Sequence, residues 1–193
     1  MLERLLRAVL VAATPSVAAC VQLGPGDPNH GHWGERVVAD VGVMPAFWLT
    51  VDSDDEDVPT VDLFGPGAGV RLGIGNADQS VGLLYQTAFL DEDDGPAEID
   101  VHVLLLDFDV SVPVEPQGFL LVHAAAGLGM VSLESPDPAL DTTTGAANLR
   151  LQLELRPMRR LAFLAGVGAF AFGSAGDTEA YGTFIDLGMR LTF

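Results

Sequence analysis

Ile185-Asp186-Leu187-Gly188-Met189-Arg190-Leu191-Thr192-Phe193, the last nine residues, carry a large apolar side chain at every odd position and a small, polar or charged one at every even position. Successive side chains of a strand point to opposite faces, so this period of two predicts a strand with one apolar and one polar surface. Soluble sheets also alternate. The other segments decide which kind of wall the strand belongs to.

Composition narrows the choice. Apolar residues make up 49% of the chain and charged ones 19%, and the mean hydropathy is +0.34. Past the N-terminus there is no apolar run of the ~18 residues that a membrane-spanning helix needs. The apolar content is spread over short alternating segments interspersed with 22 glycines. Length fits one domain.

Reading for alternation predicts about eight strands, near 36–51, 64–75, 80–90, 98–114, 118–131, 147–156, 160–173 and 180–193. The sixth is the cleanest, with Ala147, Leu149, Leu151, Leu153 and Leu155 against Asn148, Arg150, Gln152, Glu154 and Arg156. In the first, Val37, Val43, Phe47, Leu49 and Val51 are expected on one face. The fourth breaks the rule: its apolar residues are odd up to Leu105 (Ile99, Val101, Val103) and even from Leu104 onward (Leu106, Phe108, Val110). Either a bulge near 103–106 shifts the side-chain parity, or the strand's outer end leaves the membrane there.

The connections alternate in character. Long ones, 52–63, 91–98, 133–145 and 174–179, hold sixteen of the 27 acidic residues and no Arg. Short ones lie at Asn76–Gln79, Pro113–Gln117 and Arg156–Arg160. An up-and-down barrel sends alternate connections to opposite ends, so one end is acidic and the other close to neutral.

With the terminal strand, these features resemble small eight-stranded bacterial outer-membrane β-barrels of the OmpX type and the OmpA barrel domain. The resemblance implies an all-β, closed antiparallel up-and-down transmembrane barrel of about eight strands over 36–193. It implies a monomer in the outer membrane of a Gram-negative-type bacterium, with periplasmic termini and extracellular acidic loops. Its partners would be outer-membrane lipid and, during biogenesis, the barrel-insertion machinery, which reads a terminal aromatic such as Phe193.

The expected interior network is Asp40, Arg71, Asp107, Asp109, His123, Arg150, Glu154, Asp186 and Arg190, with Gln86, Asn148 and Gln152 on the same faces. A barrel of about eight strands is just filled by side chains, so the expectation is a packed interior and no wide pore. Inner-face glycines, Gly73, Gly166 and Gly168 among them, would make room for the arginines. A turn centred near Glu115 would set His123 across from Asp107.

Residues 1–19 read as a signal peptide, with Arg4 and Arg7 before an apolar core. Val17-Ala18-Ala19-Cys20 resembles a lipobox, which implies lipidation of Cys20, the only cysteine. Residues 20–35 form a Gly/Pro-rich tether containing His30 and His32. Gly31-His32-Trp33 also resembles the G-x-W signature of lipocalins, so a lipocalin-like lipoprotein barrel binding a small hydrophobic ligand is the alternative.

Catalysis is not expected: Leu121 to Ala126 around His123 contains no nucleophile. No cofactor is called for. Asp54, Asp55, Asp57, Asp93 and Asp94 supply hard oxygens that suit loose Ca²⁺ or Mg²⁺ but lack EF-hand spacing. A net charge of −18 argues against nucleic acid.

Overall fold

Period-two sequence with short polar turns can close its backbone hydrogen bonds only sideways, and here it does so in a full circle. The computed structural model describes residues 36–53, 60–76, 78–92, 98–114, 118–136, 142–158, 160–173 and 178–193. They form β1 (Arg36–Ser53), β2 (Val61–Gly75), β3 (Gln79–Glu92), β4 (Glu98–Pro113), β5 (Leu120–Glu134), β6 (Thr142–Met158), β7 (Leu161–Phe172) and β8 (Thr178–Thr192). Each strand pairs antiparallel with the next, and β8 pairs with β1 to close the barrel. At the seam the Val37 and Phe193 amides each donate to the other's carbonyl, at 3.1 and 2.9 Å. Closure leaves no edge strand.

The turn end is built from local polar chemistry. Asn76 Oδ1 accepts from the Asp78 and Gln79 amides, both at 2.9 Å, an Asx turn joining β2 to β3. Gly118, before β5, takes φ +67°, which L side chains rarely adopt.

The ladder slips in β1, and again near the turn end of β6 between Leu155 and Met158, whereas β4 has no bulge. The ladder from β1 runs Met44↔Gly67 and then Phe47↔Gly65 on one side, and Val43↔Leu187 and then Ala46↔Ile185 on the other. One extra β1 residue therefore opposes each neighbour. Pro45, which has no amide hydrogen to give to a ladder, sits in this interval. The extra residue flips the parity. Val37, Val41 and Val43 face outward, whereas Phe47, Leu49 and Val51 face inward, contrary to the single apolar face expected from sequence. Trp48 instead points outward, its ring 5.3 Å from that of Phe64.

β4, by contrast, pairs without interruption with both neighbours. All its odd positions from Ile99 to Ser111 are buried. Its change of pattern is a change in what the two faces meet. Inside, apolar Ile99–Leu105 gives way to Asp107 and Asp109; outside, Leu104 and Leu106 are the first exposed apolar residues after Asp100 and His102.

The whole barrel repeats this division. Toward the loops the interior is an apolar core that includes Phe47, Leu90, Val103, Phe170, Phe172 and Phe184. Toward the turns it is polar. The outer wall over most of its height carries exposed Val, Leu, Ile, Met and Phe from every strand.

Candidate functional site: the charge network inside the barrel

The turn-side interior draws charged side chains from strands far apart in sequence. Arg190 on β8 forks onto Asp40 of β1, Nε to Oδ1 at 2.7 Å and Nη2 to Oδ2 at 2.8 Å. Such bidentate pairs are among the strongest charge-assisted hydrogen bonds. The same guanidinium donates to Asp109 at 2.7 Å and to Glu154 at 3.1 Å. One cation thereby ties β1, β4, β6 and β8 together.

Two residues from Asp109 on β4, Asp107 is shared. It accepts from Arg71 Nε at 2.5 Å and from Arg150 Nη2 at 2.8 Å. Arg71 also donates to the Ser80 hydroxyl at 2.8 Å, a partner that sequence did not suggest. Asp186 accepts from Gln152 Nε2 at 2.5 Å.

His123 does not pair with Asp107. Its cross-strand neighbour on β4 is Ser111, because the β4–β5 turn is centred two residues later than Glu115. Its Nδ1 lies 2.9 Å from Asp109 and its Nε2 lies 2.8 Å from Glu154. Arg156, at the mouth, covers the other Glu154 oxygen at 2.5 Å. All nine residues of the expected network are buried in the interior, as are Gln86, Asn148 and Gln152.

The glycines serve more than the arginines. Arg71 lies over Gly73: a Cβ there would sit 3.1 Å from its Nη1. Gly166, however, makes room for Gln152, and Gly168 for the ring of Phe184. Three of the four phenylalanines that plug the loop-side interior face a glycine in register, Phe47↔Gly65, Phe170↔Gly182 and Phe184↔Gly168, and the fourth, Phe172, faces Ala180. This pairing lets the rings stack, with Phe170 and Phe184 centroids 5.0 Å apart and Phe47 and Phe170 centroids 5.5 Å apart.

Between network and plug, Arg71 Nη1, Arg150 Nε, Gln86 Oε1 and both amide atoms of Asn148 have no hydrogen-bond partner among the described residues. A cavity of about 20 Å³, lined by Asp40, Arg71, Gln86, Arg150, Gln152 and Asp186, adjoins the arginines and Gln86. That is room for about one water molecule.

Ser111, His123 and Asp109 invite comparison with a hydrolytic triad, which the local sequence around His123 gave no reason to consider. Both ring nitrogens, though, face carboxylates. An imidazole held this way keeps no nitrogen free to accept a hydroxyl proton. The network is suited to cross-linking strands.

Phe193 lies outside the network, exposed on the outer face. Cys20, His30, His32, Asp54, Asp55, Asp57, Asp93 and Asp94 fall outside the described residues. Among the described residues no group of three or more His, Cys, Asp or Glu is placed to hold a metal ion.

No protein-family model matches the chain, and no curated protein matches it. Among solved structures, Neisserial surface protein A is similar with a TM-score of 0.59 at 11% identity, over 81% of this chain and 97% of that one. Ail of Yersinia pestis gives 0.49 at 10% identity, over 81% and 98%. The N-terminal β-barrel domain of Pseudomonas aeruginosa OprF gives 0.46 at 14%, over 84% and 100%. By the likeness to the neisserial protein, the chain has the closed eight-stranded antiparallel fold of outer-membrane β-barrels.

Proposed function

We propose that this protein is a non-enzymatic, monomeric, integral outer-membrane β-barrel that displays acidic loops at the cell surface. The observation that carries the proposal is the outer wall. Exposed aliphatic and aromatic side chains continue around all eight strands, from Val37 and Val41 on β1 to Leu187 and Leu191 on β8. In water such a surface would be an aggregation site; against lipid it is the required one. The interior is filled by the charge network and the phenylalanine plug, so no wide pore runs through it. Short turns at one end and acidic connections at the other fit the usual periplasmic and external ends.

In this proposal residues 1–19 direct export, Cys20 carries the lipid, Phe193 serves the insertion machinery, and Ca²⁺ or Mg²⁺ associates loosely with the acidic loops. A lipocalin-like carrier would need polar side chains outside and an open apolar cavity inside. Here the turn-side half has the reverse polarity, and the apolar half is filled by stacked rings.

The test is migration on SDS gels with and without boiling after extraction from membranes. A folded barrel gives two mobilities; one mobility, with the protein soluble once the signal is removed, would overturn the proposal. Protease added to intact cells should cut within 52–63 or 91–98, and protection of both would reverse the orientation. Cys20→Ala should abolish fatty-acid labelling.

A further inference from the structure

We infer that on the loop side the bilayer surface crosses β4 and β5 at an outward-facing polar pair, His102 and Ser132. Above this pair the wall of β4 and β5 stands clear of the membrane. The inference rests on the membrane reading above and fixes where that membrane ends.

The pair follows from register: His102 faces Ser132, and the polar line continues down to Thr87 on β3 and up to Thr143 on β6, because in-register partners climb around a barrel of tilted strands. They bond among themselves: Tyr85 Oη and Thr87 Oγ1 lie 3.0 and 3.2 Å from His102 Nδ1, and the Ser132 and Thr143 hydroxyls are 3.3 Å apart. One residue pair below, the outward residues of β4 and β5 are Leu104, 53% exposed, and Met130, 59% exposed. One pair above, Asp100 and Glu134 are direct cross-strand partners, both exposed.

Two carboxylates side by side in hydrocarbon, with no cation near them among the described residues, would carry a desolvation cost that no described residue offsets. In water they cost little. The interior agrees: behind this pair and above it, Val101, Val103, Val131 and Leu133 are buried. There the wall of β4 and β5 is polar outside and apolar inside, the polarity of a water-soluble barrel. Across the barrel, the outward Thr50 donates to Asp62 at 2.7 Å, one step above the Trp48–Phe64 aromatic pair.

Height is consistent too. The outward apolar positions run from Leu104 on β4 to Val114 immediately after it. At ~3.3 Å per residue and a tilt of about 40° that stretch spans roughly 25 Å, the height of a lipid-facing band. Among the described residues no Arg lies at this level. Lipid headgroups therefore meet hydroxyls and an imidazole here, through hydrogen bonds to their oxygens.

The test uses single spin labels on cysteines introduced into Cys20→Ser protein refolded in phosphatidylcholine vesicles. Collisions with lipid-soluble oxygen are compared with those of a water-soluble nickel complex, in variants that keep two gel mobilities. Oxygen should dominate at 104 and 130, nickel at 100 and 134, with the crossover at 102 and 132. Oxygen dominance at 100 and 134 would overturn the inference and leave the membrane reading standing. Nickel dominance at 104, 106, 128 and 130 would overturn both.

Discussion

The two halves of the barrel interior, lined by the same eight strands, are filled on opposite principles. The turn-side half is held by Arg71, Arg150, Arg190 and His123 among five carboxylates. The loop-side half is held by stacked phenylalanines and branched aliphatic residues. The difference teaches that a closed barrel does not dictate the polarity of its filling. What it demands is volume and satisfied hydrogen bonds. The charged half ties specific strands together but carries a desolvation cost for every ion. The apolar half gains ~1.5–3 kcal/mol for each large side chain buried and leaves few polar atoms to satisfy.

Perturbing each half sharpens this contrast. The largest effect is expected from deleting Leu104. In an uninterrupted β4 the deletion moves either Asp100 and His102 inward or Asp107 and Asp109 outward, and no folded gel band should form. Arg190→Ala comes next. It leaves Asp40, Asp109 and Glu154 facing one another without their shared cation, a loss of about 3–5 kcal/mol in urea unfolding from vesicles. Phe184→Ala empties the space above Gly168 and should cost about 3–4 kcal/mol in the same assay. If the halves are energetically separate, Arg190→Ala and Phe184→Ala together should add to within about 0.5 kcal/mol; a larger departure would break the comparison. His123→Gln removes one of two contacts with Asp109 and Glu154 and should cost about 1–3 kcal/mol. The smallest effect belongs to deletion of Ala46, which removes the extra β1 residue while keeping Phe47 inside and Trp48 outside. Both gel mobilities should survive with a stability change under about 1 kcal/mol.

The barrel was legible because alternation survives wherever the two faces of a strand differ strongly, as in Leu149 to Arg156. It failed where both faces are apolar. Around Val103–Leu106 the inner apolar core and the outer apolar band overlap, so an unbroken strand looks like a parity shift. In Val43-Met44-Pro45-Ala46-Phe47 a true shift is hidden by the same uniformity. The members of the polar network could be read from their faces, but their pairing could not. Partners depend on register: a turn centred two residues later than Glu115 puts Ser111, not Asp107, across from His123 and leaves Asp109 in diagonal reach of its ring. The loop-side core is hidden in the sequence because strict alternation puts Phe47 on the same face as Val37 and Val43, and Phe170 and Phe184 meet only once β7 and β8 are paired.

Adjacent residues of β1 offer the most direct test of the whole account: Phe47 is 1% exposed and Trp48 is 45% exposed. With Trp33→Phe, Trp48 becomes the single tryptophan, and in bilayers containing lipids brominated near the carbonyl its fluorescence should be strongly quenched. Moving the indole one position, with Phe47→Trp and Trp48→Phe, should place it inside the plug and abolish quenching at any bromine depth. Equal quenching at both positions, or none at Trp48, would contradict a lipid-embedded barrel with a closed apolar plug.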